Sequence, residues 1–186
     1  MDLFPESNSF LTNGDYILVN KSSQKIDTLL MKTGFDEITK YSFDVPSQLL
    51  QKDEKMQFAV HILEKSLLPG ESMRVHFEIK NNPNSLLYKN SSILENGTFL
   101  KADILPRFGY FFDKESGNPN DSLVRYSNFY SSDADLVDVE TVISTHNLQT
   151  AIAPGSLQNH WTKKNRNYFH YRTKEKNKFS FAYNSG

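Results

Sequence analysis

The sequence predicts an all-β domain, an antiparallel sandwich with long loops, and three observations carry that expectation. Short runs in which apolar residues recur at every second position are common, whereas the spacing of an amphipathic helix is scarce. Clusters of Gly, Pro and Asn separate these runs, as turns between strands require. The aromatic content is 13% with a single Trp, and Phe and Tyr favour the half-buried surface of a sheet. No internal repeat of fixed period is visible.

At 186 residues the chain suits one domain, 1–186, with a sizeable core; residues 1–13 read as a flexible N-terminal segment. A net charge of -1 and a pI near 6.5 argue against nucleic acid or an anionic membrane as partner. The absence of Cys excludes a disulfide framework and thiolate metal sites. No apolar run is long enough to span a bilayer, and the N-terminus lacks the order of a signal peptide, so the chain reads as soluble, without direct membrane insertion.

Residues 16–20 read as the first strand, entered through Asn13-Gly14, and a hairpin over residues 21–25 leads to a second strand over residues 26–32. There Leu29, Leu30 and Met31 are contiguous, as in a strand covered on both faces. Tyr41, Phe43 and Val45 alternate in a third strand, which Pro46 ends. Residues 47–55 are mostly polar and fit a loop or a helical turn. Residues 57–63 set Phe58, Val60 and Ile62 against Ala59, His61 and Leu63, as in a strand near the core.

Leu68-Pro69-Gly70-Glu71 is a tight turn that launches the cleanest strand. In residues 73–80, Met73, Val75, Phe77 and Ile79 alternate with Arg74, His76, Glu78 and Lys80, which demands one buried face and one wet face. Burying each of those four apolar side chains stabilises the fold by roughly 1.5–3 kcal/mol before entropy is subtracted. Residues 81–85 then break the sheet.

Residues 95–113 concentrate turn formers, aliphatics and aromatics between two strand-rich blocks. Asn96-Gly97 signals a turn because Gly accepts positive φ, Pro106 fixes φ, and Gly109 leaves room for close backbone approach. Phe108, Tyr110, Phe111 and Phe112 follow as an aromatic run. Residues 114–121 read as a loop, and residues 123–130 as a short helix or turn. Residues 136–143 form a strand with Val137, Val139, Thr141 and Ile143 on one face. A short strand over residues 150–153 closes at Pro154-Gly155, and residues 167–172 pair antiparallel with residues 178–183. That last strand runs to Gly186 with no terminating element, which reads as a fragment of a longer chain.

Chemistry-bearing clusters are sparse. His61, His76, His146, His160 and His170 are widely spaced, and the H-E-x-x-H pattern that sets two imidazoles on one helical face does not occur, so no metal site is expected. Asp133, Asp135, Asp138 and Glu140 do not match a calcium loop. Seven basic residues between Trp161 and Lys178 interleave with Tyr168 and Tyr171, but the near-neutral chain makes a solvated hairpin with a turn near residues 174–177 the better reading. G-x-S-x-G is absent, and no catalytic residue is assigned. Asn20, Asn90, Asn96 and Asn120 begin N-x-[ST] sequons.

Five motifs occur in one order: Asn96-Gly97-Thr98-Phe99; Ile104-Leu105-Pro106-Arg107-Phe108-Gly109-Tyr110; residues 135–144; residues 150–155; and Asn167-Tyr168-Phe169-His170-Tyr171. Together they resemble the amino-terminal β domain of the aminopeptidase N-like zinc metallopeptidases. The likeness is nearest to the bacterial branch, common in Bacteroidetes, whose peptidase module is fused to an ABC transporter permease. The resemblance implies a saddle-like β sandwich, non-catalytic by itself, packed on a catalytic domain that carries the zinc; no cofactor is implied in this chain. It implies an extracytoplasmic, membrane-anchored parent. It also implies that Glu95 and Asn96, just upstream of Ile104-Leu105-Pro106, line the parent's peptide-binding cleft beside the substrate's amino end. The usual Gln-x-Gln/Glu pattern is not reproduced there. On this reading Leu105, Phe108, Tyr110, Phe111 and Phe112 dock against the catalytic domain. The alternative is a free-standing module that binds carbohydrate or peptide through Tyr110, Phe111, Phe112, Tyr126 and Tyr130.

Overall fold

The computed structural model describes residues 1–32, 38–55, 57–81, 92–109 and 136–186. β1 (Asp2–Phe4), a 3-10 turn (Pro5–Ser7) and β2 (Ser9–Val19) open the chain. β3 (Ile26–Lys32), β4 (Ile38–Phe43), β5 (Ser47–Asp53), β6 (Phe58–Leu67) and β7 (Ser72–Asn81) follow. Then come β8 (Ile93–Leu94), β9 (Gly97–Lys101), a 3-10 turn (Ala102–Ile104) and β10 (Arg107–Phe108). β11 (Leu136–Val137), β12 (Glu140–His146), β13 (Ala151–Ile152), β14 (Ser156–Lys163), β15 (Arg166–Arg172), β16 (Asn177–Lys178) and β17 (Ala182–Ser185) complete it. Among the described residues there is no α-helix, and the all-β expectation holds.

A seven-stranded sheet runs β14-β15-β12-β1-β2-β7-β4, antiparallel except where β1 lies parallel to β12. Two four-stranded sheets, β10-β3-β6-β5 and β13-β17-β9-β8, pack on its inner face. One core cluster joins Leu3, Phe10, Ile79, Ile143 and Phe169 of the large sheet to Ile93, Leu100, Ala151 and Tyr183. The other joins Met73 and Val75 to Leu29, Leu63 and Leu67. Tyr16 borders both clusters.

β7 is the strand whose sequence dictates its setting most fully. Met73, Val75, Phe77 and Ile79 are 1%, 0%, 4% and 0% exposed, as the alternation requires. The turn before it closes through Glu71 N–H donating to Leu68 O at 2.9 Å, and Leu68 N–H donating to the Glu71 carboxylate at 2.8 Å. Gly70 supplies the left-handed φ of 81°. The buried Asn20 ties the end of β2 to that of β6 by donating to Leu67 O at 2.8 Å and Gln24 O at 2.7 Å. The side chain of that sequon's Asn is therefore enclosed in the fold.

Several expectations are corrected. Residues 1–13 are not a loose segment: Leu3 and Phe10 are 0% and 1% exposed, so burial draws β1 and β2 into the large sheet. Asn13-Gly14 lies within β2, not in a turn, and Gly14 is needed because the Phe77 ring occupies the place a Cβ would take. β2 and β3 do not form a hairpin; the chain crosses from one sheet to another between them. Residues 47–53 are an edge strand, β5, wet on both faces and therefore without alternation. Residues 167–172 pair with β14 and β12, and the stretch 178–183 divides between β16 and β17. The hairpin turn is Lys164-Asn165, with φ of 49° and 61°, the mirror-image geometry that matches strand twist. Expectations over residues 110–135, including Tyr110, Phe111, Phe112, Tyr126, Tyr130, Asp133 and Asp135, lie outside the described residues.

Candidate functional site

Glu95 and Asn96 are the two turn residues of the β8–β9 hairpin, in which Leu94 faces Gly97 and Ile93 faces Thr98. Both turn residues are exposed. The turn falls one residue earlier than Asn96-Gly97 suggests, and no residue from 95 to 97 has positive φ, so glycine's freedom is not what builds it. Tertiary bonds hold it instead. Gln149 Nε2 donates to Glu95 O at 2.7 Å, and Asn8 Nδ2 donates to Ile93 O at 2.6 Å. Sequence reasoning missed Gln149, because nothing local signals a contact across 54 residues.

The hairpin belongs to the β13-β17-β9-β8 sheet, whose inner face buries Ile93, Thr98, Leu100, Ala151, Tyr183 and Ser185. Glu95 thus offers an exposed carboxylate, and Asn96 an amide, at the rim of a rigid sheet. Both present oxygens that accept hydrogen bonds from an ammonium group.

The proposed docking residues fare differently. Residues 102–104 form a 3-10 turn that sinks Leu105 to 5% exposure in the core. Phe108 packs inside the chain, edge-on to Tyr16 at 6.1 Å and to Phe43 at 6.4 Å between ring centroids. Leu105 belongs to the larger core cluster, and Phe108, half-buried, packs against the smaller one. Next to them Arg107 Nη2 donates to Phe179 O at 3.2 Å, with its guanidinium 5.3 Å from that ring.

The histidines sit apart. His76 approaches Asp15 at 3.3 Å, His170 bonds Glu140 at 2.7 Å, and His160 stacks on Phe169 at 4.6 Å. Among the described residues no three His, Asp or Glu side chains converge on one point. Asp138 pairs with Lys176 at 3.8 Å. In the basic stretch Arg166 is an internal anchor, donating to Leu3 O at 2.7 Å and Ser144 Oγ at 2.8 Å over the Phe4 ring.

His61 is the one buried histidine of the described residues; it lies between β6 and β4 with Nε2 2.9 Å from Tyr41 Oη and Phe43 edge-on at 5.0 Å. Burial pushes its pKa below the ordinary 6.5, because charge is disfavoured there. With a lowered folded pKa, the unfolded chain takes up the proton first as pH falls. The contribution is therefore complete above about pH 6.5 and is lost as pH falls through the folded pKa. Urea unfolding at pH 8 and pH 5 should show the decrease, and a His61→Phe variant should show less of it; equal slopes would contradict the assignment.

No family model matches the sequence, and no curated protein sequence matches it. Solved structures do. An M1 zinc metallopeptidase from Deinococcus radiodurans superposes with a TM-score of 0.61 and 11% identity, over 94% of this chain and 37% of that chain. A mutant of the Deinococcus radiodurans enzyme bound to a Tyr-Ser-Ala substrate gives 0.62 and 12%, over 100% of this chain and 40% of that one. A two-domain M1 zinc metallopeptidase mutant bound to L-tryptophan gives 0.61 and 12%, over 100% and 41%. This chain has the fold of the matched part of those enzymes. It spans about 40% of the length of the solved chains it matches.

Proposed function

We propose that this chain is the non-catalytic N-terminal β domain of an aminopeptidase N-like zinc metallopeptidase, and that Glu95 and Asn96 line one side of the peptide cleft it forms with a catalytic domain beyond these residues. The observation that carries this reading is the superposition of 100% of this chain on 40% of a substrate-bound M1 metallopeptidase. The ordered motifs from Asn96 to Tyr171 point the same way. Zinc, on this reading, belongs to the catalytic domain, where it supplies Lewis-acid activation of the peptide carbonyl. The dispersed His, Asp and Glu side chains of the described residues do not fit it. The role of this chain's own groups is to position: an exposed carboxylate at a braced turn attracts and orients a peptide's terminal ammonium. On the same reading, the parent is a permease fusion that holds the domain on the extracytoplasmic side. Among the described residues no helix is long and apolar enough to cross a membrane.

The full reading frame provides the first test, since a downstream H-E-x-x-H is required. In the full-length protein, Glu95→Gln should then lower kcat/KM for peptides with a free amino end by about 10- to 150-fold, from the roughly 1.5–3 kcal/mol of a charged hydrogen bond. An unchanged kcat/KM would remove Glu95 from the cleft.

A further inference from the structure

We infer that Asn96 is a site of spontaneous covalent modification: its side-chain amide is lost to attack by the backbone nitrogen of Gly97, and hydrolysis leaves an aspartate or isoaspartate at position 96. This chemistry belongs to the chain itself and does not rest on the function proposed above. In the first step the Gly97 nitrogen gives up its proton and attacks Asn96 Cγ; the new bond closes a five-membered succinimide, and the side-chain nitrogen leaves as ammonia. Water then adds to one of the two ring carbonyls. Breaking the bond from Cγ to the Gly97 nitrogen gives aspartate, and breaking the bond from the Asn96 main-chain carbonyl carbon to that nitrogen gives isoaspartate. One water enters and one ammonia leaves. Either product carries a carboxylate where the amide stood, so the chain becomes one charge more negative than its formal -1.

The sequence holds two Asn-Gly pairs, Asn13-Gly14 and Asn96-Gly97. In both, the residue after Asn has no Cβ to crowd the attacking nitrogen, and in both the Asn is exposed, so neither residue type nor exposure separates them. Backbone setting does separate them. Ring closure must bring the Gly nitrogen and the Asn Cβ close to eclipsed about the Cα–C bond, which the ψ of an extended strand does not allow. Asn13 lies inside the eleven-residue β2, where β7 pairs with every residue from Phe10 to Val19. Turning it out of the extended region breaks that ladder in its middle and shifts Gly14, against which the Phe77 ring is packed. Asn96 is instead the second residue of a two-residue turn. The strand before it, β8, has only the pairs Leu94 with Gly97 and Ile93 with Thr98, so the same rotation disturbs a ladder at its end. The braces from Gln149 and Asn8 fall on the carbonyls of Glu95 and Ile93, and neither reaches Asn96 or Gly97.

The test is incubation of the 186-residue chain at pH 9, which favours loss of the Gly97 proton, and at pH 5, followed by peptide mapping and by enzymatic methylation of isoaspartate. At pH 9 the native chain should accumulate aspartate and isoaspartate at position 96 several-fold faster than at position 13, and several-fold faster than at pH 5. In urea, with both ladders gone, the two positions should react at comparable rates. Gly97→Ala should slow the reaction at position 96 several-fold and leave the fold intact. Gly97 has no positive φ, and an added Cβ would meet its nearest neighbour, Ser185 O, at an ordinary 3.5 Å. An unmodified Asn96 in the native chain, or equal rates at positions 96 and 13 in the native chain, overturns the inference. A difference between the two positions that persists unchanged in urea also overturns it, since the fold would then play no part. None of these results touches the cleft reading, which stands or falls with Glu95→Gln.

Discussion

Phe77→Asp is expected to leave the chain without a cooperative unfolding transition. Phe77 is 4% exposed, tilted against Tyr16 at 4.8 Å between ring centroids, and belongs to the larger core cluster. Removing the ring forfeits about 3–5 kcal/mol of burial and packing. Placing an unpaired carboxylate there adds several kcal/mol more in desolvation. The sum is comparable with the whole stability of a typical domain, about 5–15 kcal/mol. Circular dichroism during urea titration decides the outcome. A cooperative transition at the wild-type midpoint would mean that the opposite face of β7 is the buried one, since a one-residue slip exchanges the faces. Gly14→Ala probes the same contact from the other side, because its Cβ would stand 2.4 Å from Phe77 Cζ.

Gly155→Ala is expected to cost about 3 kcal/mol or more, combining backbone strain with overpacking. Gly155 has φ of 100°, and a Cβ there would lie 2.3 Å from the carbonyl carbon and oxygen of Arg172 and 2.6 Å from the Thr173 nitrogen. Those atoms are backbone and cannot rotate aside, because Arg172 is paired to Glu140 on one side and to Ser156 on the other. Gly70→Ala is the matched comparison. Its φ is 81° but nothing lies within 4 Å of the added carbon, so the left-handed conformation alone should cost about 1–2 kcal/mol. Urea midpoints of the two variants separate the effects. A Gly155→Ala protein no less stable than Gly70→Ala would contradict the close backbone approach.

The candidate turn shows how far a local signal reaches. Asn96-Gly97 marks the right place, and the structure indeed reverses the chain beside it. Its exact register and rigidity come from Gln149 and Asn8, which no local pattern connects to Glu95 or Ile93. Phe99 and Ile152, both exposed, are brought into one row by Asn184 only once three distant segments are paired.

The all-β class, the β7 register and the Leu68–Glu71 turn were legible in the sequence, because period-two burial and turn chemistry are properties of neighbouring residues. It did not reveal β5 or β14, whose residues are exposed on both faces and so carry no alternation. It could not assign β2 and β3 to different sheets, or bring Leu3 of a segment expected to be loose into the core. The tertiary structure alone decided those points, and with them which aromatics are spent inside and which face outward. The physical reason is that strand partners are chosen by the burial available across the whole chain, a quantity that no local window contains.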